Sequence, residues 1–475
     1  MSTQATGAAP DRPEVPVLTF LGATGTVTGS RFLVDTPHAR VLVDAGLYQG
    51  RRALRERNWA PFPVPPASLD AVVVTHAHVD HVGYVPVLTR DGLGGRIFAT
   101  DGTTELAGIV LPDAGHLQEE EAEYRNRKGF SKHHPALPLY TEADARASLS
   151  SFAACRFDRE VQVAPGVHAT FRPAGHILGA ATVTLRLEND GDRTITFSGD
   201  LGRPAHPLLR PPAPLGEVDV VVVESTYGDR THDDADALAR FAAVIRRTAE
   251  RGGTVVIPAF AVDRTEVVLF RLRELVERGE IPRLPVYVDS PMALNALAVY
   301  RRAIASGDPE IRPELAALGD PFDSGNVTEV RDVQDSIALA DVVTPSIIVS
   351  ASGMATGGRV VHHLARVLPD HRNSVVLVGF QAPGTRGQFL AEGTDQIKIL
   401  GRYLPVRAEV VDLGAFSVHA GRDELVDWLH TADREPEATY LVHGEPESSA
   451  ALAETIRSTG WHAVVPRHGE RVRLD

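Results

Sequence analysis

Residues 75–81 read Thr75-His76-Ala77-His78-Val79-Asp80-His81 and follow directly on the apolar run Leu69-Asp70-Ala71-Val72-Val73-Val74. The run predicts a buried strand, so three imidazoles and a carboxylate stand together on the loop after it. Imidazole nitrogen and carboxylate oxygen suit zinc in a hydrolytic site, where one coordination position stays open for water. Cys155 is the only cysteine, which excludes an internal disulfide and leaves metal ligation to histidine and carboxylate.

Three further donors share one placement, at the end of an apolar strand and beside glycine, where backbone can approach a ligand closely. His176 lies in Pro173-Ala174-Gly175-His176-Ile177-Leu178-Gly179, Asp200 in Phe197-Ser198-Gly199-Asp200-Leu201-Gly202, and His443 in Tyr440-Leu441-Val442-His443-Gly444-Glu445. With His76, His78, Asp80 and His81 they make five histidines and two aspartates. That set suits two zinc ions sharing a bridging carboxylate and a bridging water. Asp44, after Arg40-Val41-Leu42-Val43, puts one more carboxylate at a strand end.

The elements that must carry these residues come in blocks. Strand-like runs at 17–21, 30–34 and 40–43 precede the histidine loop, with Gly22, Gly25 and Gly29 marking a hairpin connection rather than a phosphate loop, since no lysine follows. Helical stretches at 103–127 and 141–152 follow, then strands at 167–171, 181–185, 193–197 and 219–223. Consecutive strands flanked by helices predict a layered α/β sandwich. From about Ser225 to Leu400 the pattern alternates: strands at 254–257, 285–288, 346–349 and 374–378 are separated by helices such as Leu238–Glu250 and Thr265–Arg278. Such alternation predicts βαβ units and a parallel sheet. The block from Gly401 to Asp475 returns to strands at 408–411 and 438–442 with helices at 424–429 and 449–458.

The 475 residues suffice for two or three domains. An excess of 62 acidic over 48 basic residues, net −14, argues against indiscriminate nucleic-acid binding, which needs basic charge spread over a face. Local basic clusters at 51–57 and 125–128 read as solvated faces. Residues 1–15 read as a short disordered tail with neither the basic head nor the apolar core of a signal peptide, and no apolar run is long enough to span a bilayer. A cytoplasmic location is expected. The pairs His133-His134 and His362-His363 are read as surface or supporting residues, because sequence neighbours face different ways.

Taken together, Asp44, the HxHxDH run, His176, Asp200 and His443 resemble the metallo-β-lactamase fold. Within it, the chain is similar to the β-CASP RNA-processing nucleases, the branch of the cleavage and polyadenylation endonuclease and bacterial ribonuclease J. Glu224 in Val223-Glu224-Ser225-Thr226-Tyr227-Gly228, His419 in Phe416-Ser417-Val418-His419-Ala420, the inserted alternating domain, and the stretches 350–359 and 379–385 carry that likeness. One departure is Gly421, where the family usually has an aspartate. The resemblance implies an αββα sandwich over 16–224 and 401–475 with an inserted α/β β-CASP domain, a parallel sheet, over 225–400.

It also implies roles. One zinc would be held by His76, His78 and His176, the other by Asp80, His81 and His443, with Asp200 bridging and Asp44 orienting a ligand; manganese is an alternative occupant. Asp80, Asp200, His419 and Glu224 would be the catalytic set, with Glu224 favouring the charged form of His419, suited to protonating a leaving oxygen. Ser350, Ser352, Gly357, Gly358, Arg359 and Arg386 would contact substrate phosphates, the glycines at a helix N-terminus. The expected activity is hydrolysis of phosphodiesters in single-stranded RNA, internally or from the 5′ end, by a monomer or homodimer. Two rivals stand beside it. A thioester hydrolase or β-lactamase would share the histidine run but not require the insertion, and a non-catalytic RNA-binding paralogue would have lost donors that this chain retains.

Overall fold

The computed structural model describes residues 12–129, 133–188, 192–232, 236–342 and 344–474. Of the expected N-terminal tail, residues 1–11 lie outside this description; Arg12 lies against the first sheet, 2.9 Å from Asp70.

Two seven-stranded sheets face each other. The first runs, in spatial order, Arg471–Arg473, Val17–Phe20, Phe32–Asp35, Arg40–Val43, Ala71–Val73, Arg96–Thr100 and Phe152–Cys155. The second runs Ala463–Val464, Ala438–Val442, Val220–Glu224, Arg193–Phe197, Ala181–Leu187, Val167–Pro173 and Glu160–Ala164. Alternation along each strand builds the layers. Ala71 and Val73 enter the interior between the sheets with Val41, Val43, Phe171 and Val183, while Val72 and Val74 face Leu106 and Val110 of the long helix Asp101–Lys128. On the other side Val220 and Val222 point inward, and Val221 and Val223 meet Leu425, Trp428 and Leu452 of two C-terminal helices. Each fully buried Val or Leu contributes about 1.5–3 kcal/mol. The result is the expected αββα sandwich.

The insertion forms a third, six-stranded sheet in the order Val327–Glu329, Val286–Val288, Ser346–Ser350, Thr254–Pro258, Ser374–Leu377, Glu409–Asp412, parallel throughout. The last strand corrects the sequence reading. Residues 408–411, assigned there to the returning sandwich, instead extend this sheet by pairing Ser374 with Glu409 through to Leu377 with Asp412. A four-residue β-branched strand reads alike in either sheet, and its partner is set by a contact 35 residues away. The chain therefore re-enters the sandwich after Asp412.

The histidine loop is held by a short helical turn, with His81 N and Val82 N donating to His78 O at 2.9 Å, and by neighbouring backbone segments. Ala45 N donates to His81 O at 2.7 Å, Leu47 N to Val79 O at 2.9 Å, and Ser30 N to Asp80 O at 2.9 Å. Gly46 is part of that clamp: a Cβ there would stand 1.6 Å from Asp80 O. Gly46→Ala is expected to lower the unfolding free energy by about 1–3 kcal/mol, measured by urea denaturation in the presence of chelator.

Candidate metal centre

Every donor named from the sequence arrives at the carboxyl end of a strand. The strand Ala71–Val73 leads into His76 and His78, and Asp80 and His81 follow in the short helix Val79–Val82. Asp200 follows Arg193–Phe197, His443 follows Ala438–Val442, and His176 sits in the connection between Val167–Pro173 and Ala181–Leu187. Tertiary folding brings these donors into two adjacent groups.

In the first, His76 Nε2 and His78 Nδ1 are 3.1 Å apart, and His176 Nε2 is 3.3 Å from the same His78 atom. Asp200 Oδ2 closes the group, 3.3 Å from His76 Nε2 and 3.6 Å from His176 Nε2. In the second, His81 Nε2 is 3.2 Å from His443 Nε2, which is 3.5 Å from Asp80 Oδ2. The other oxygen of Asp200 lies 3.2 Å from His81 Nε2. Two nitrogens bound tetrahedrally to one zinc at about 2.05 Å stand about 3.3 Å apart, so the spacing of both groups fits one ion each. Buried His78 Nε2 and His176 Nδ1 have no hydrogen-bond partner.

The electrostatics agree. Burial holds His76 down at about 3, His78 at about 4 and His176 well below the usual histidine value, leaving neutral imidazoles with lone pairs to offer. His81 behaves oppositely: burial works against its charged form, but the Asp200 and Asp44 carboxylates outweigh it and raise its pKa well above normal. The two carboxylates thus demand a positive charge between them, which a proton or a metal ion can supply. Asp200 is held ionised, well below the usual carboxylate range; burial opposes this, but His443, His81 and His76 prevail.

Partners behind the donors fix their ring orientation. Asp44 Oδ2 lies 2.7 Å from His81 Nδ1 and accepts Thr75 Oγ1–H at 2.9 Å, while its Oδ1 accepts Thr75 N–H at 2.8 Å. Thr226 Oγ1 lies 3.1 Å from His443 Nδ1, and Thr75 Oγ1 3.1 Å from His76 Nδ1. The sequence reading found Asp44 but missed Thr75 and Thr226, because a hydroxyl beside a strand end carries no signal of its own.

His419 joins the centre from the far side of the insertion. Its Nδ1 lies 3.2 and 3.3 Å from the two oxygens of Glu224, and its Nε2 is 3.9 Å from Asp200 Oδ2. Burial disfavours its charged form, yet Glu224 and then Asp200 raise its pKa above normal. Gly421 stands two residues further on. Its amide donates to the capping carboxylate of Glu424, Oε2, at 2.8 Å, and a Cβ there would meet the His232 ring at 3.0 Å. His232 Nε2 donates to the His419 carbonyl at 3.0 Å.

The expected phosphate contacts fare differently. Arg359 is turned to Asp289 at 2.7 Å and to the carbonyls of Val330 and Arg331. Arg386 donates to the carbonyls of Lys398, Ala355 and Thr356. Both guanidinium groups therefore cross-link loops of the insertion. Buried Ser350 donates to Asp289 O at 2.8 Å, whereas Ser352 is bonded to exposed Thr356, and Gly357 has open space around it. Of the adjacent histidine pairs, His363 is buried and bound to Asp289 at 2.6 Å, and His362 is exposed.

Histidine and aspartate cages at the strand ends of an αββα sandwich define the class: a metal-dependent hydrolase. The Beta-lactamase superfamily domain matches residues 39–251, the Beta-Casp domain residues 265–390, and the Zn-dependent metallo-hydrolase RNA specificity domain residues 403–466. The chain is 36% identical over 452 residues to Ribonuclease TTHA0252 of Thermus thermophilus, covering 95% of this chain and 98% of that protein. It is 31% identical over 455 residues to Transcription termination factor FttA of Methanocaldococcus jannaschii, covering 93% of this chain and 68% of that protein. A protein of unknown function from Enterococcus faecalis V583 shares the fold, with a TM-score of 0.51 at 14% identity over 97% of this chain and all (100%) of that one. The chain belongs to the β-CASP family of metallo-β-lactamase-fold hydrolases. Among the described residues no helix is long and apolar enough to cross a membrane.

Two outcomes follow from the site. Asp44→Ala is expected to lower metal affinity about 10- to 100-fold, measured by competition with a chromophoric chelator. Because His81 holds a proton up to an elevated pKa, metal must displace it; apparent affinity should therefore fall as pH falls, with proton release seen calorimetrically in buffers of different ionisation enthalpy.

Proposed function

We propose that this chain is a zinc-dependent ribonuclease that holds two divalent ions, one in each donor group, and hydrolyses phosphodiesters of single-stranded RNA. The observation that carries the reading is the carboxylate of Asp200, one oxygen in each group, with the His419–Glu224 pair directly beside it. The names of the relatives and of the domain over residues 403–466 support RNA as substrate.

His76, His78, His176 and Asp200 would hold one ion, and Asp80, His81, His443 and Asp200 the other. When bound, two such ions supply a nucleophilic hydroxide near neutral pH and offset charge developing on the phosphate. The residues of the chain do the rest. Asp44, Thr75 and Thr226 keep three ligand rings in orientation. Glu224 occupies His419 Nδ1, which leaves Nε2 as the atom able to give a proton to the leaving oxygen. Burial at His76 and His176 excludes bulk water from the inner side of the site.

The insertion supplies the opposite wall. The Phe260 ring lies 6.4 Å from His78, and Phe380 lies 5.9 Å from Tyr227, itself 6.2 Å from His419. Phe260 and Phe380 follow the carboxyl ends of strands Thr254–Pro258 and Ser374–Leu377, where open α/β sheets receive ligands. Half-buried aromatic rings beside a cationic centre suit the stacked bases and backbone phosphates of a single strand. This is how an acidic protein could accept RNA without a broad basic face. A cytoplasmic location remains part of the proposal.

Purified protein incubated with end-labelled single-stranded RNA tests the reading. Wild type should cut, Asp80→Ala should lose activity, and His419→Ala should fall about 10²- to 10⁴-fold while keeping its metal. Product lengths separate internal from 5′-terminal cutting. Undiminished cutting by Asp80→Ala would refute the assignment.

A further inference from the structure

The connection that carries His176 is not held by the sandwich alone. Its carbonyl at Gly179 accepts Thr100 Oγ1–H at 2.6 Å and Thr103 Oγ1–H at 2.8 Å, both from the sandwich. Its amides go the other way. Leu178 N–H donates to Tyr300 Oη at 2.9 Å, and Gly179 N–H is shared between the two oxygens of Glu310 at 3.1 and 3.0 Å. Tyr300 and Glu310 belong to the insertion, Tyr300 within the helix Pro291–Ser306, and both are buried.

Tyr300 is itself fixed by a chain that crosses back. Its hydroxyl donates to Asp263 Oδ1 at 2.7 Å, and Asp263 Oδ2 lies 3.0 Å from His206 Nε2. His206 Nδ1 accepts the amides of Leu208 and Leu209 at 3.1 and 3.0 Å, so Nε2 carries the proton and donates it to Asp263. Asp263 has φ +67°, a backbone state strained for a side-chain-bearing residue and kept only where surrounding contacts over-determine it. Asp263 is fully buried and His206 2% exposed. The path therefore runs from sandwich residue His206 through Asp263 and Tyr300 of the insertion to Leu178, two positions from a metal-ligating histidine. Among the described residues the outer partners of the second donor group stay with the sandwich: Asp44 and Ser30 belong to its first sheet's connections, and Thr226 stands two residues past its strand Val220–Glu224.

We infer that Tyr300 and Glu310 are positioning residues for the metal ion held by His76, His78 and His176, so that docking of the insertion selectively loads that ion and not the one beside it. The inference rests on the two-ion reading above. Loss of either side chain would leave a buried amide unpaired and free the His176 connection to shift, and outer partners of metal ligands typically govern affinity about 10- to 100-fold.

The test measures metal binding rather than turnover. Wild type, Tyr300→Phe, Glu310→Ala and Glu310→Gln are dialysed against graded chelator, metal content is read by mass spectrometry, and Co(II) absorption reports each site. In wild type, two ions bind. In Tyr300→Phe and Glu310→Ala one ion should weaken about 10- to 100-fold while the other keeps wild-type affinity, and Glu310→Gln, which retains an acceptor for Gly179 N–H, should recover most of the loss. Retention of both ions at wild-type affinity in Tyr300→Phe and Glu310→Ala overturns the inference, as does parallel weakening of both. Fewer than two ions in wild type refutes the two-ion reading itself.

Discussion

A buried carboxylate shared between two sets of imidazoles is the constraint on which this structure turns. Asp200 is 2% exposed, and an ionised group there is tolerated only when cations and donors surround it. His76, His81, His176, His443 and His419 all approach it within 3.2–3.9 Å. Meeting that demand requires segments from both sheets to end at one point. Strand ends can do this because each brings a single residue to the edge of the sandwich while its valines stay in the core, so the histidine loop, Asp200 and His443 share one edge.

The insertion completes this centre as well as walling it. Glu224 is the last residue of its strand before the chain leaves the sandwich, and His419 lies where the chain has come back. Their pair therefore joins the entry and exit of the insertion beside Asp200, and the bridge between Gly202 and His419 fastens the same point. The pair is thus assembled from chain segments on either side of the insertion. The Tyr300 and Glu310 contacts tie the His176 connection to the insertion from the opposite side.

Within the insertion, charged residues that suggest ligand contacts serve cohesion. Asp289 gathers Ser336 of the helix Val333–Ala338 and Arg359 and His363 at the start of the helix Val360–Val367, and Arg386 spans three carbonyls. Each guanidinium meets several part-buried or exposed acceptors at once, so one side chain ties two or three loop segments together. The aromatic rings Phe260 and Phe380, rather than Arg359 and Arg386, are what the insertion turns toward the metal centre.

Much of the site was legible in the sequence because its information is local. A histidine-rich loop after a valine run, and single donors flanked by glycine at strand ends, declare both their chemistry and their place in a layered fold, and the alternating block from 225 onward declares a second sheet. Long-range pairing is not local. Whether residues 409–412 joined the sandwich or the insertion, that Arg359 meets Asp289, and that Tyr300, Asp263 and His206 form one path were decided by tertiary structure. Sequence determines which groups are available and roughly where each strand ends; only packing determines which buried donor finds which acceptor, because that choice depends on partners distant along the chain and on the water each pair excludes.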